Sequence, residues 1–192
     1  MLREDQKELK RKAVFSKALD AVAADRIQFF QYEYMKKSLD VFSKGDKKAG
    51  GELLVFSANL GFSPLVEYLV EEEGVPVSST DKNGWTALHL AAWIGNRDIA
   101  EFALRNGADA NARDKVGRTP LHYAALCDDD RVEDMMGLLI QNGAKVLAGD
   151  NAGVTPVAMA RPRGARFLTS GPVARKVKQE MMDICLRCSL NA

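Results

Sequence analysis

Apolar residues along this chain fall into short blocks with helical spacing, and the blocks echo one another. Leu53-Leu-Val-Phe-Ser-Ala58 sits where Ala87-Leu-His-Leu-Ala-Ala92 sits in the next stretch, and Leu65-Val-Glu-Tyr-Leu-Val70 matches Ile99-Ala-Glu-Phe-Ala-Leu104. Glycines recur between and after the blocks, Gly61 with Gly95 and Gly74 with Gly107. The register is sharpest where Asp81-Lys-Asn-Gly-Trp-Thr-Ala-Leu-His-Leu-Ala-Ala92 returns 33 residues later as Asp114-Lys-Val-Gly-Arg-Thr-Pro-Leu-His-Tyr-Ala-Ala125. Self-similarity at such a period is the mark of a stacked repeat, in which each unit buries its apolar face against its neighbours.

Local chemistry predicts two helices and a turn per unit. Thr86, Thr119 and Thr155 suit helix N-caps, and Pro120 and Pro156 follow where a missing N–H costs nothing. Leu88, Leu90, Ala91 and Ala92 form the face of a short first helix, with small alanines that let the next unit approach. Gly95 permits the reversal. Ser63-Pro64 and the pair Asp130 and Glu133 are read as caps of second helices. Gly107 and Gly143 are placed just past such helices, where a left-handed residue ends them at low cost. Four units result, at about 52–80, 81–113, 114–149 and 150–165. The fourth opens with Asp150-Asn-Ala-Gly-Val-Thr-Pro156 and then loses the pattern.

Both flanks read as helical. Residues 1–44 hold no proline or glycine, and Phe15, Leu19, Val22 and Phe29 or Phe30 make one apolar stripe, with aromatics crowding at 29–34. That stripe needs a surface to pack on. It either caps the first repeat or reaches out to a partner, and the cap is favoured because a stack's first unit needs its apolar face covered. Ser43-Lys-Gly-Asp-Lys-Lys-Ala-Gly-Gly51 is expected to break any helix and form a solvated hinge. Residues 166–192 are assigned to a C-terminal capping helix, with Val173, Val177, Glu180 or Met181, and Ile184 on one side.

The repeated residues resemble the ankyrin repeat. Its motif Thr-Pro-Leu-His-x-Ala is present in full at Thr119-Pro-Leu-His-Tyr-Ala124, and Thr86-Ala-Leu-His-Leu-Ala91 departs by one alanine. Asn106-Gly-Ala-Asp-Ala-Asn111 is similar to the family's characteristic end, as Asn142-Gly-Ala144 is in part. The resemblance covers residues 50–165. It implies an all-α ankyrin-repeat solenoid of helix-turn-helix units with short hairpin-like turns, and a concave protein-binding surface without a catalytic site.

Carried over position by position, the groove residues are Lys82, Asn83, Trp85, Trp93, Ile94 and Arg113, then Lys115, Val116, Arg118 and Leu126, with Asn151, Ala152 and Val154 in the fourth unit. Trp and Arg are over-represented among residues that dominate binding energy. Lys82, Arg113, Lys115 and Arg118 make the stretch positive, which suits an acidic or mixed-charge partner protein. The resemblance also implies that His89 and His122 hydrogen-bond turn backbone, and that Asn111 is similar to an asparagine hydroxylated in many relatives.

Composition narrows the remaining classes. The 192 residues are 46% hydrophobic and 28% charged with a net charge of +1, which is globular and gives no chain-wide pull toward nucleic acid or lipid. No run approaches the ~20 apolar residues of a membrane span, and the N-terminus lacks a secretory h-region. Three cysteines, Cys127, Cys185 and Cys188, fit a reducing intracellular compartment, cytoplasmic or nuclear. Cys185-Leu-Arg-Cys188 lacks the further ligands of a zinc site. Asp128-Asp-Asp-Arg-Val-Glu-Asp134 does not match a calcium loop and reads as a solvated loop with a helix cap. No metal or cofactor is implied, and two histidines leave catalysis little to work with. Arg161 to Lys178 holds six basic residues and no acidic one, so nucleic-acid or anionic-membrane association through 161–178 is the alternative to a protein-binding adaptor. A monomer is favoured.

Overall fold

Threonine caps and glycine stops cut the chain into helix pairs. The computed structural model describes residues 2–24, 35–39, 42, 47–127 and 130–190. The aromatic run 29–34, residues 43–46 of the lysine-glycine stretch and Asp128–Asp129 lie outside the described residues. In chain order the helices are α1 (Leu2–Ala24), α2 (Lys47–Asn59), α3 (Ser63–Glu71), α4 (Ala87–Ile94), α5 (Arg97–Arg105), α6 (Pro120–Leu126), α7 (Val132–Gln141), α8 (Pro156–Met159), α9 (Pro162–Thr169) and α10 (Gly171–Leu190). Residues 35–39 are also helical, and no strand occurs among the described residues.

The helices stack in two layers. First helices α2, α4, α6 and α8 pack in succession, and second helices α3, α5, α7 and α9 do the same behind them. Leu54, Leu88 and Leu121 occupy one register position and are fully buried, as are Ala58, Ala92 and Ala125. Those alanines hold the first helices close, because any larger side chain would push the units apart. At the ends of the stack α1 packs on α3 and α10 on α9.

Several local readings change. Residues 47–51, expected as hinge, are the first turn and a half of α2. Gly50 and Gly51 are buried there, since a Cβ on Gly50 would meet the Phe42 ring at 2.7 Å and one on Gly51 would meet Ser79 Cβ at 2.9 Å. The glycines serve close approach, not chain reversal. Ser63 does not cap α3: the cap position is Phe62, with no side-chain hydrogen bond. Arg131 rather than Asp130 precedes α7, and Asp130 instead pairs with Arg163. The cap that the sequence reading missed is Asn96, whose side chain accepts from the Ile99 amide at 3.0 Å. Thr86 and Thr155 do accept at their helix starts, and Gly95, Gly107 and Gly143 have φ of 71°, 85° and 89°.

Each end of the stack carries a polar fastening. Arg11 forks onto Glu73 through two bonds of 2.8 and 2.7 Å, and the Tyr68 hydroxyl donates to the same carboxylate at 2.7 Å. Burial, then the Glu73 carboxylate, pushes the Tyr68 phenol up to about 12. Phe15 meets Tyr68 edge-on at 6.1 Å. On α10, Val173 and Val177 pack on the core. Glu180 accepts from the Leu147 amide at 2.9 Å, and Lys176 donates to the Ile140 carbonyl at 2.8 Å. Met181, one candidate for the inward stripe, is 53% exposed. The side chains of Ile184, Cys185 and Cys188 lie outside the described residues.

Candidate binding groove

Three aspartates build the groove's turns, and all three turns are made alike. Asp81 Oδ1 accepts from the amides of Asn83 and Trp85 at 2.8 and 2.9 Å. Asp114 Oδ1 accepts from Val116 and Arg118 at 3.0 and 2.8 Å, and Asp150 Oδ1 from Ala152 and Val154 at 2.9 and 3.0 Å. A glycine with positive φ completes each turn: Gly84, Gly117 and Gly153. The turns then bond to one another, Lys115 N–H to the Asn83 carbonyl and Asn151 N–H to the Val116 carbonyl, each at 3.0 Å.

The histidines lock turn to helix. His89 Nδ1 accepts from the Thr86 amide at 3.1 Å, so Nε2 carries the proton and donates to the Arg118 carbonyl at 3.1 Å. His122 repeats this with the Thr119 amide and the Val154 carbonyl, both at 3.0 Å. Burial holds both imidazoles below their ordinary value of 6.5, outweighing the carbonyl partners that favour the charged form. Both are structural, as the resemblance implies. Among the described residues no group of three or more His, Cys, Asp or Glu side chains is placed to hold a metal.

Asp114 is the hub. Its second oxygen accepts the Trp85 indole N–H at 3.1 Å and the Tyr123 hydroxyl at 2.5 Å. Burial alone would raise its carboxyl, but the bonds from Tyr123, Arg118 and Trp85 outweigh it and hold the group below 3.8. Tyr123 is pushed up to about 12 by burial and then by this carboxylate. Around the Tyr123 ring stand Trp85 at 5.1 Å and Trp93 at 5.6 Å, both edge-on.

The residues singled out from sequence fall on the turn tips and the ends of the first helices, and they differ in how free they are. Trp93 and Val116 are 45% and 50% exposed. Lys82, Asn83, Arg113 and Lys115 are exposed too, whereas Trp85, Ile94, Arg118 and Leu126 are half-buried. Arg113 Nη2 donates to the Gly149 carbonyl at 2.8 Å. Arg118 Nε lies 3.5 Å from Asp150 Oδ2. Asp150 thus stands beside Arg118, and with Asp81 and Asp114 in the neighbouring turns the face carries both signs of charge. Asn111, at the far end of its unit, donates to the Gly143 carbonyl and accepts from the Lys145 amide.

A cleft of about 260 Å³ opens between α2 and the first turn. It joins Trp85 and Lys82 to Glu52, Val55 and Phe56 of the first unit, with Leu90 and Asp81. Sequence reading passed over these first-unit residues because that unit matches the motif weakly. Phe56 nevertheless sits in register with Leu90 and Tyr123. In the basic stretch 161–178, Arg163 and Lys176 are engaged with Asp130 and the Ile140 carbonyl, while Arg166, Arg175 and Lys178 are exposed.

Helix pairs stacked in two layers, with hydrogen-bonded turns along one edge, define a repeat solenoid of the protein-binding kind. Ankyrin repeats in three copies match residues 31–114 and 53–150, and the chain belongs to the ankyrin-repeat family, whose members are interaction modules rather than catalysts. It is 41% identical over 101 residues to neurogenic locus notch homolog protein 2 of Homo sapiens, covering 52% of this chain and 4% of that one. It is 43% identical over 84 residues to neurogenic locus notch homolog protein 1 of Danio rerio, covering 43% and 3%. It is 33% identical over 115 residues to BCL-6 corepressor-like protein 1 of Homo sapiens, covering 60% and 6%. The chain thus spans a few per cent of the length of these relatives. No helix among the described residues is long and apolar enough to cross a membrane.

Proposed function

We propose that this protein is a non-catalytic adaptor that holds a partner protein along the turn and first-helix face. Lys82, Asn83, Trp85, Trp93, Ile94, Arg113, Lys115, Val116, Arg118 and Leu126 form the contact surface. The observation that carries this reading is the pair of large apolar side chains left in solvent on that face, Trp93 at 45% and Val116 at 50% exposure. Exposed aromatics rimmed by charge are the usual anchors of protein interfaces. Alternating carboxylates and basic groups along the turns suit a mixed-charge segment, because each partner charge then meets its opposite and wrong registers meet like charges. The notch and corepressor-like relatives support an interaction role for the module. The small share of their length that is matched carries nothing of their particular partners.

Affinity capture from cell extract, with the partner then purified and titrated, tests the proposal. Trp93→Ala combined with Lys115→Glu is expected to weaken binding by about thirtyfold or more, the ~2 kcal/mol of an interface hot spot, while the melting temperature moves by a few degrees at most. Arg166→Ala with Lys178→Ala, on the opposite end of the molecule, is expected to leave affinity unchanged. Undiminished binding by the Trp93/Lys115 variant would overturn the groove assignment.

A further inference from the structure

We propose that the joint between the 114–118 and 150–154 turns is a carboxylate subsite, in which Arg113 and Lys115 together hold one aspartate or glutamate side chain of the partner protein. The assignment rests on the groove reading above and fixes where one acidic residue of the partner's mixed-charge segment sits.

Cations gather at this joint as they do in neither neighbouring turn. The third unit carries Arg113, Lys115 and Arg118 where the second carries Thr80, Lys82 and Trp85 and the fourth carries Gly149, Asn151 and Val154. Asp114 is buried, while Arg113 and Lys115 on either side of it are exposed.

The two carboxylates at the joint are already engaged. Asp114 accepts from the Val116 and Arg118 amides, the Trp85 indole and the Tyr123 hydroxyl. The Asp150 side chain, 6% exposed, accepts from the Ala152 and Val154 amides and faces Arg118. No ion pair among the described residues involves Arg113 or Lys115. Three cations against two carboxylates leave an excess of one positive charge, which a single carboxylate neutralises and a doubly charged phosphate overshoots. The His122 imidazole responds to the same charges. Burial is the main cause of its lowered pKa, Asp150 acts the other way, and Arg118 and Arg113 lower it further.

Arg113 is held ready for such a ligand. Gly117 has a φ of 80°, and a Cβ there would come within 2.8 Å of Arg113 Nη2 and 2.2 Å of Asn151 Oδ1. The bare glycine therefore lets both side chains lie over the turn. Arg113 Nη2 donates to the Gly149 carbonyl at 2.8 Å, which orients the guanidinium and leaves Nε and Nη1 to donate outward. An arginine fixed at one corner loses little freedom on binding and offers the planar fork that a carboxylate matches. The Lys115 ammonium, on the same exposed side, adds charge without demanding geometry. A neutral amide would forgo the charge-assisted bonds, and a cationic side chain would meet like charge.

The test is an NMR titration of the full chain with N-acetyl-glutamate amide, beside the neutral N-acetyl-glutamine amide and N-acetyl-phosphoserine amide. The glutamate probe is expected to move the amides of 113–118 and 149–154, and the glutamine probe to leave them in place. Arg113→Gln and, separately, Lys115→Gln should each weaken the glutamate probe by about twofold to fivefold, the range of an exposed ion pair. The Lys115 side chain makes no hydrogen bond within the turns, so its variant tests the site with the fold undisturbed. Equal shifts from glutamate and glutamine, no shift localised to the joint, or indifference to both variants would overturn the assignment. Phosphoserine binding more than tenfold tighter than glutamate would overturn it in favour of phosphate. Partner capture with Trp93→Ala alone separates the two proposals. Capture that depends on Trp93, with a glutamate probe indifferent to Arg113 and Lys115, sinks the subsite alone. Glutamate binding at the joint, with capture indifferent to Trp93, sinks the groove reading alone.

Discussion

His89 and His122 show how much one residue type can do when its ring is buried with both nitrogens committed. Each Nδ1 accepts a backbone amide from its own unit, and each Nε2–H reaches the turn of the next. A second proton would have to displace the amide at Nδ1, and burial depresses both pKa values from 6.5. The sign follows from linkage. The unfolded chain takes up protons first, so the stability contributed by these rings is complete above 6.5 and is lost as the pH falls below it. The Asp114 and Asp150 carboxyls, held below 3.8, add their own loss only as the pH drops further, through their lowered values. The midpoint of urea denaturation is expected to fall between about pH 7.5 and about pH 5.5. Replacing both histidines by glutamine should lower the midpoint and flatten that slope. An unchanged midpoint across the window would contradict the neutral assignment.

At the scale of the element, the turn is the unit that makes the groove, and its aspartate is the reason it holds. Asp114→Ala removes the side-chain acceptor of two backbone amides inside the turn and leaves the Trp85 indole and the Tyr123 hydroxyl without their partner. A loss of about 3 kcal/mol is expected, read by equilibrium denaturation. Asp114→Asn keeps one acceptor oxygen for the turn and loses the other, so about half that cost is expected. Equal losses from the two would show that the side-chain hub, not the turn, carries the energy. The recurrence of Asp81, Asp114 and Asp150 at the head of three units was plain in the sequence, as were the threonine caps and glycine stops, because their chemistry acts within a few residues. The hub was not legible. Trp85 and Asp114 are 29 residues apart, and only stacking of neighbouring turns brings indole to carboxylate. The misread cap at Asp130 shares that cause: its carboxylate meets Arg163 once the helices pack.

At the scale of the whole molecule, stability depends on what covers the ends of the stack. Arg11 and Phe15 tie α1 to Tyr68 and Glu73, and the glutamate run that lengthens the first unit supplies the carboxylate. Removal of residues 1–24 is expected to speed amide hydrogen exchange across 47–71 well before it affects 114–141, since each unit contacts mainly its neighbours. Uniform loss of protection would instead mean that the stack unfolds as one. The chain's order of residues, by itself, determined the repeat family, the helix pairs and the aspartate turns between them, because period, caps and glycines are written at short range. Only the tertiary structure decided that residues 47–51 begin a helix where a turn was due, with Gly50 and Gly51 serving close packing, and that Phe56 and Glu52 line a cleft with Trp85. Those outcomes depend on what lies across the gap, and a neighbour far along the chain leaves no local pattern to read.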